Sequence, residues 1–206
     1  MFESNKLTEL QIDALREIGN IGLGHAATSL SEMLERKIGM DVPHADFISM
    51  EEVINILGGY EELVSCVSLK LDGDINGIVF YIFNKSSTYK LVDMLMGFED
   101  GTTNGLDDMA TSTINEIGNI LTGSFISAIS NFTNLKIIPS TPIFAFDMLA
   151  AIFTTLITTS GQPEGDNVLT IKTEMYRDDR KINGFFFLMP DPESFNKLFI
   201  ALGIED

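Results

Sequence analysis

Residues 13–43 read DALREIGNIGLGHAATSLSEMLERKIGMDVP, and residues 112–142 read STINEIGNILTGSFISAISNFTNLKIIPSTP. At an offset of 99, without a gap, ten of these thirty-one positions are identical: Glu17/Glu116, Ile18/Ile117, Gly19/Gly118, Asn20/Asn119, Ile21/Ile120, Gly24/Gly123, Ser31/Ser130, Lys37/Lys136, Ile38/Ile137 and Pro43/Pro142. Five of the ten are consecutive and spell EIGNI. Chance pairing does not place that pentapeptide twice at one distance from a proline. Internal self-similarity of this kind bears on the architecture before any single element is read.

The likeness resumes at an offset of 107. Ile75-Asn76-Gly77 matches Ile182-Asn183-Gly184, each followed by an apolar run, and Lys90-Leu91 matches Lys197-Leu198. The eight extra residues fall in TSGQPEGDN (159–167), a Gly/Pro/polar stretch that reads as a loop. The chain is therefore expected to be one domain, 1–206, made of two repeats of about 1–100 and 101–206 related by a pseudo-twofold.

Each repeat reads as helix-helix-strand-strand-strand-helix. The capping box Thr8-x-x-Gln11 starts a helix near Glu9, with Leu10, Ala14 and Ile18 on one apolar stripe. Gly22 and Gly24 weaken it, and a second helix is expected over His25–Arg36 with Ala26, Ser29, Leu30, Met33 and Leu34 inward. Pro43 ends any continuation. Strands follow at Ala45–Met50, Glu62–Leu71 and Gly77–Phe83, with turns at Asp72-Gly73 and Asn76-Gly77. A helix over Ser86–Met96 closes the unit. The second repeat is expected to place helices from Asp107 and near Ser124–Asn131, strands near Ala145–Thr158, Asn167–Tyr176 and Gly184–Met189, and a helix at Pro192–Leu202. The fold class is α+β, a layered α/β sandwich.

Composition removes whole classes of function. Thirteen Lys+Arg against thirty Asp+Glu leave a net charge of −17. Binding to nucleic acid or to an anionic membrane needs basic clusters, so neither partner is expected. One cysteine, Cys66, allows no intrachain disulfide, and with two histidines no metal site of the chain's own is expected. The polar N-terminus is unlike a signal peptide and no apolar run reaches a membrane span, which points to a cytoplasmic protein.

The unusual feature of the repeat is a preserved polar pair. Glu17 and Asn20, like Glu116 and Asn119, stand at i, i+3 and share a helix face, with Asp13 or Ser112 one turn earlier. Solvated helix faces and a capping asparagine are the bland alternatives. The chemical alternative starts from the carboxamide. It is no base or nucleophile, but it accepts from a water and donates to an oxyanion. Phosphoryl hydrolysis asks a protein mainly for a placed water and charge stabilisation. With no phosphate loop and no catalytic triad of its own, such a chain would have to insert its amide into a phosphorylated partner that already holds the metal.

The pattern Asp/Ser-x3-Glu-x2-Asn-x22-Pro occurs twice: Asp13, Glu17, Asn20, Pro43 and Ser112, Glu116, Asn119, Pro142. It resembles the CheC/FliY/CheX family of chemotaxis phosphatases, over essentially the whole chain. The resemblance implies hydrolysis of the aspartyl phosphate of the response regulator CheY. Each Asn would direct the attacking water and each Glu would salt-bridge a lysine of CheY, with Asp13, Ser112, Pro43 and Pro142 in support. Mg2+ would belong to the CheY site, leaving the chain with no cofactor of its own. The family also implies a second partner, CheD, and Asp147 in FDMLAAIF looks like its contact; a charged residue at the start of an element is the alternative there. A chain holding both motifs is expected to act as a monomer. The rival class is an adaptor that binds CheD or phosphorylated CheY with little turnover.

Other signals carry less. Gly22-Leu23-Gly24-His25-Ala26-Ala27 spells the phosphate-cradling GxGxxA, but after a helix where that fingerprint needs a strand. His25 and His44 read as surface residues and Cys66 as a buried strand residue. Asp72, Asp74 and Asn76 lack the Glu that a calcium loop requires.

Overall fold

The computed structural model describes residues 9–160 and 167–203. Thr8 of the capping box and residues 161–166 of the expected loop lie outside them. The elements are α1 (Glu9–Leu34), β1 (Gly39–Ser49), α2 (Met50–Leu57), β2 (Leu63–Gly73), β3 (Gly77–Asn84), α3 (Lys85–Met96), α4 (Asp108–Thr133), β4 (Ile137–Pro139), β5 (Ile143–Met148), α5 (Leu149–Ser160), β6 (Asn167–Arg177), β7 (Arg180–Pro190) and α6 (Pro192–Ala201). Helices and an antiparallel sheet make the α+β class expected.

All seven strands join one sheet, in the order β1-β6-β7-β3-β2-β4, with β5 also on β2. Each half thus contributes its leading strand to the far edge of the other half's strands. In the middle, β3 pairs with β7 so that Phe80 faces Phe187. These two occupy matching positions at the offset of 107, and their rings stack at 5.0 Å. Both faces of the central strands are buried. Val79, Tyr81, Phe186 and Leu188 pack under α1 and α4, whereas Ile78, Phe80, Ile82 and Phe187 pack against α2 and α5. Burial on both sides explains the continuous apolar runs GIVFYIF and FFFLM.

Two expected boundaries are corrected. The helix pairs at the head of each half are single 26-residue helices, α1 and α4. Tertiary packing overrides the local weakness at Gly22. A Cβ there would lie 3.2 Å from the Phe125 Cα and the Ser124 carbonyl and 3.3 Å from the Ala128 Cβ, so the glycine lets α1 seat against the α4 backbone. In the continuous helix Leu15, Ile18, Leu23, Ala26 and Leu30 make the buried stripe. Ser29 and Met33, expected inward, fall off that stripe and are exposed. The strand expected over Ala145–Thr158 is β5 followed by α5: β-branched residues mimic a strand, but Leu149, Ile152, Phe153 and Leu156 bury at helical spacing. The short α2 was not expected. Its Ser49 cap and Glu52 form a complete capping box.

The linker between halves is fastened to a buried carboxylate. Asp93, at the end of α3, has no exposed surface. Its oxygens accept from the Thr103 N–H (2.8 Å) and hydroxyl (2.6 Å) and from the Gly101 N–H (2.8 Å). Burial alone would raise its titration point, but the Thr103 and Gly101 donors outweigh that and hold the carboxyl below its ordinary value.

Two outcomes follow from this packing. Gly22→Val should cost about 1–3 kcal/mol in urea unfolding, because backbone blocks the new methyls. Asp93→Asn should be less stable than the parent at pH 7. The carboxylate's contribution is complete above its unfolded value of about 3.9 and is lost as pH falls through the depressed folded value, so the gap should close in acid.

Candidate functional site

The buried faces of α1 and α4 lie against the sheet and against each other, and the polar pairs stand on their outward faces. On α1 the exposed side holds Asp13, Glu17, Asn20 and Gly24 at spacings of four, three and four. On α4 the matching positions are Ser112 and Glu116, both exposed, and Asn119 and Gly123, both half-buried. Neither asparagine is sealed beneath neighbouring groups. Asp13 forms an i,i+3 ion pair with Arg16 at 3.6 Å; Ser112 has no basic partner three residues on, because Asn115 stands there.

The motif prolines lie where each stripe meets a sheet edge. In β1 the register jumps between Asp41, opposite Glu174, and His44, opposite Lys172. Val42 and Pro43 therefore face Thr173 alone, a β-bulge. At the other edge Pro139 pairs with Leu71 and Ile143 with Ser68, so three residues, Ser140, Thr141 and Pro142, span the two positions Lys70 and Leu69. Each copy thus places its proline in an extra-residue kink of an edge strand, where the missing N–H costs no ladder bond. The sequence reading had Pro43 as a helix stop; α1 ends nine residues earlier, at Leu34, and the proline serves the edge instead.

The bulge frees a donor. The Val42 N–H leaves the ladder and donates to the Asn20 Oδ1 at 3.3 Å. The carboxamide is thereby oriented, its nitrogen away from β1 and one oxygen lone pair still open. Asn119 has no such bond among the described residues, and the residue that matches Val42 in the second repeat is Thr141. The two sites therefore share composition but differ in how their amide is held. The role of Val42 was illegible in sequence because a main-chain group supplies it; the fixed interval to the proline was its only trace.

The other candidates separate from these stripes. Asp147 is exposed at the end of β5, where its Oδ1 accepts the Met148 N–H at 2.7 Å. His25 and His44 are exposed. Gly22 to Ala27 lie inside α1, which rules out the strand-to-helix geometry of a dinucleotide fingerprint. Cys66 is buried in β2, and burial pushes its thiol up to about 12. Among the described residues no three His, Cys, Asp or Glu side chains gather as a metal site would need, and no helix is long and apolar enough to cross a membrane.

The same fold occurs in solved structures of a FliY and of a FliM middle domain. The crystal structure of Thermotoga maritima FliY matches with a TM-score of 0.76 at 24% identity, covering 97% of this chain and 99% of that one. The FliM middle domain of H. pylori matches with 0.66 at 12% identity, covering 93% and 98%. Sequence comparison narrows this class. The model of the CheC-like family matches residues 10–45 and 109–145, the segments that hold both Glu/Asn pairs and both prolines. The CheY-P phosphatase CheC of Bacillus subtilis (strain 168) is 34% identical over 203 residues, 97% of each chain. The chain belongs to the CheC-like family.

Neither asparagine belongs to the core, so both alanine variants should fold. Asn119→Ala should shift unfolding stability by no more than about 1 kcal/mol in urea titrations, while Asn20→Ala, which leaves the Val42 N–H without its acceptor, should cost about 1–3 kcal/mol.

Proposed function

We propose that this chain is a phosphatase of phosphorylated CheY that works through two sites, Glu17/Asn20 on α1 and Glu116/Asn119 on α4. The observation that carries the reading is the acid–amide pair present on both helices, with Glu17, Asn20 and Glu116 exposed and Asn119 half-buried, each pair beside a proline-kinked sheet edge. Its support from relatives is the B. subtilis protein, a CheY-P phosphatase.

In this mechanism the partner's aspartyl phosphate is reached by the carboxamide. The Asn20 oxygen spends one lone pair on Val42 and offers the other to a water. A water held on that lone pair has its own lone pair free to face phosphorus. Its oxygen bonds to phosphorus as the bond from phosphorus to the aspartyl oxygen breaks. The products are inorganic phosphate, which takes up the water's oxygen, and a free aspartate carboxylate; the water's proton passes to the phosphate or to solvent. Glu17 and Glu116 pair with a cation of CheY and set the depth of insertion. Mg2+, on this reading, belongs to the CheY site, where it screens the phosphoryl oxygens. One chain carries both pairs, so it acts as a monomer. CheD is the proposed second partner, with Asp147 as its contact on the β5–α5 corner.

Phosphate release from labelled CheY by catalytic amounts of the chain tests the proposal. Each single Asn→Ala change should lower turnover in part, and Asn20→Ala with Asn119→Ala should lower it about 10²–10³-fold. Full activity of the double variant, or stoichiometric protection of the phosphate without turnover, would contradict it.

A further inference from the structure

Three pairs of glycines are shared by the two halves: Gly19/Gly118, Gly24/Gly123 and Gly77/Gly184. Two pairs have an internal reason. A Cβ on Gly19 would lie 3.0 Å from the Val42 Cγ2, and one on Gly118 would strike Val67. Gly77 has φ +151° and backs onto the Met189 carbonyl, and Gly184 lies under the Tyr81 ring. Gly24 and Gly123 have none. Apart from the adjoining backbone of their own helix, no atom lies within 4 Å of where their Cβ would be. Neither has a positive φ, and both stand inside long helices, where glycine is the second-worst residue after proline. The fold would gain from alanine at either position, yet glycine stands at both.

Both lie one turn beyond the asparagine on the exposed stripe, and the reach of that side chain explains them. Helical Cα atoms lie about 2.3 Å from the axis, while the side-chain envelope extends to about 5–6 Å. An asparagine amide ends roughly 4 Å from its Cα, so it scarcely clears its neighbours. To bring so short a group against a phosphoryl group held within another protein, the helix backbone itself must approach the partner closely. A side chain at the next turn of the same face would hold the two apart.

We infer that Gly24 and Gly123 are specificity-determining residues of the two sites, kept bare so that the backbone of phosphorylated CheY can close onto α1 and α4 beside Asn20 and Asn119. This rests on the function proposed above. The occupant is a folded receiver protein because a free acyl phosphate could enter an exposed stripe past an added methyl, whereas a protein surface could not.

The test uses the full chain and phosphorylated CheY. Gly24→Ala with Gly123→Ala should raise the unfolding temperature, by about 4–8 °C for the pair, while raising KM for phosphorylated CheY. Gly24→Met with Gly123→Met, still good helix formers, should raise KM by about tenfold or more. Turnover of acetyl phosphate by CheY alone gives the baseline. An unchanged KM in the Met pair overturns the inference; should that variant fail to fold, an unchanged KM in the Ala pair does so. The asparagine double variant separates the two claims. If it is inactive while the glycine variants bind normally, the inference fails and the phosphatase reading stands. If it is fully active, the phosphatase reading fails first.

Discussion

The seating of α1 against α4 is the contact on which the rest depends. At Gly22 the α1 main chain meets the main chain of Ser124 and Phe125 in α4, with only the Ala128 methyl beside it. That closeness covers the inner flanks of both helices while the sheet covers their undersides, through Phe125 stacked on Phe186 at 4.3 Å and Ile18 and Ile117 fully buried. The Glu/Asn pairs stand on the faces turned away from these contacts, and they are held rigidly because they ride on 26-residue helices rather than loops.

The sheet supplies the second constraint. Exchange of leading strands between halves puts β1 and β4/β5 at opposite edges, so each long helix has its own proline-kinked strand beside it. Bulging an edge strand has two effects. It breaks the row of unpaired main-chain groups that would invite pairing with another sheet. It also turns one N–H, that of Val42, toward the Asn20 amide.

Much of this was legible in sequence, and the parts that were not have physical reasons. The repeated EIGNI and the prolines at fixed spacing identified the polar pairs, because an acid and an amide kept one helical spacing in both copies. The inner strands β2, β3, β6 and β7 and the helices α3 and α6 were found by turn signals and apolar runs at the right lengths, whereas β1 starts at Gly39 rather than Ala45 and the three-residue β4 was not expected. The glycines misled: Gly22 reads as a helix breaker, and only the opposing α4 backbone reveals that it is a contact. The stretch Leu149–Ser160 misled through its threonines and isoleucines, whose strand preference yields to the apolar surface beneath α5. The pairing of strands across halves had no local signal at all. Nor did the Val42 N–H, since main-chain donors leave no letter in a sequence.

The central claim is that two surface carboxamides reach another protein's acyl phosphate and aim a water at it. The most direct measurement is a high-resolution structure of this chain bound to CheY carrying Mg2+ and an unreactive acyl-phosphate analogue. The account predicts the amides of Asn20 and Asn119 within about 3 Å of a water, or of its vacated position, in line with phosphorus. CheY seated elsewhere, with both asparagines left in bulk solvent, would contradict it.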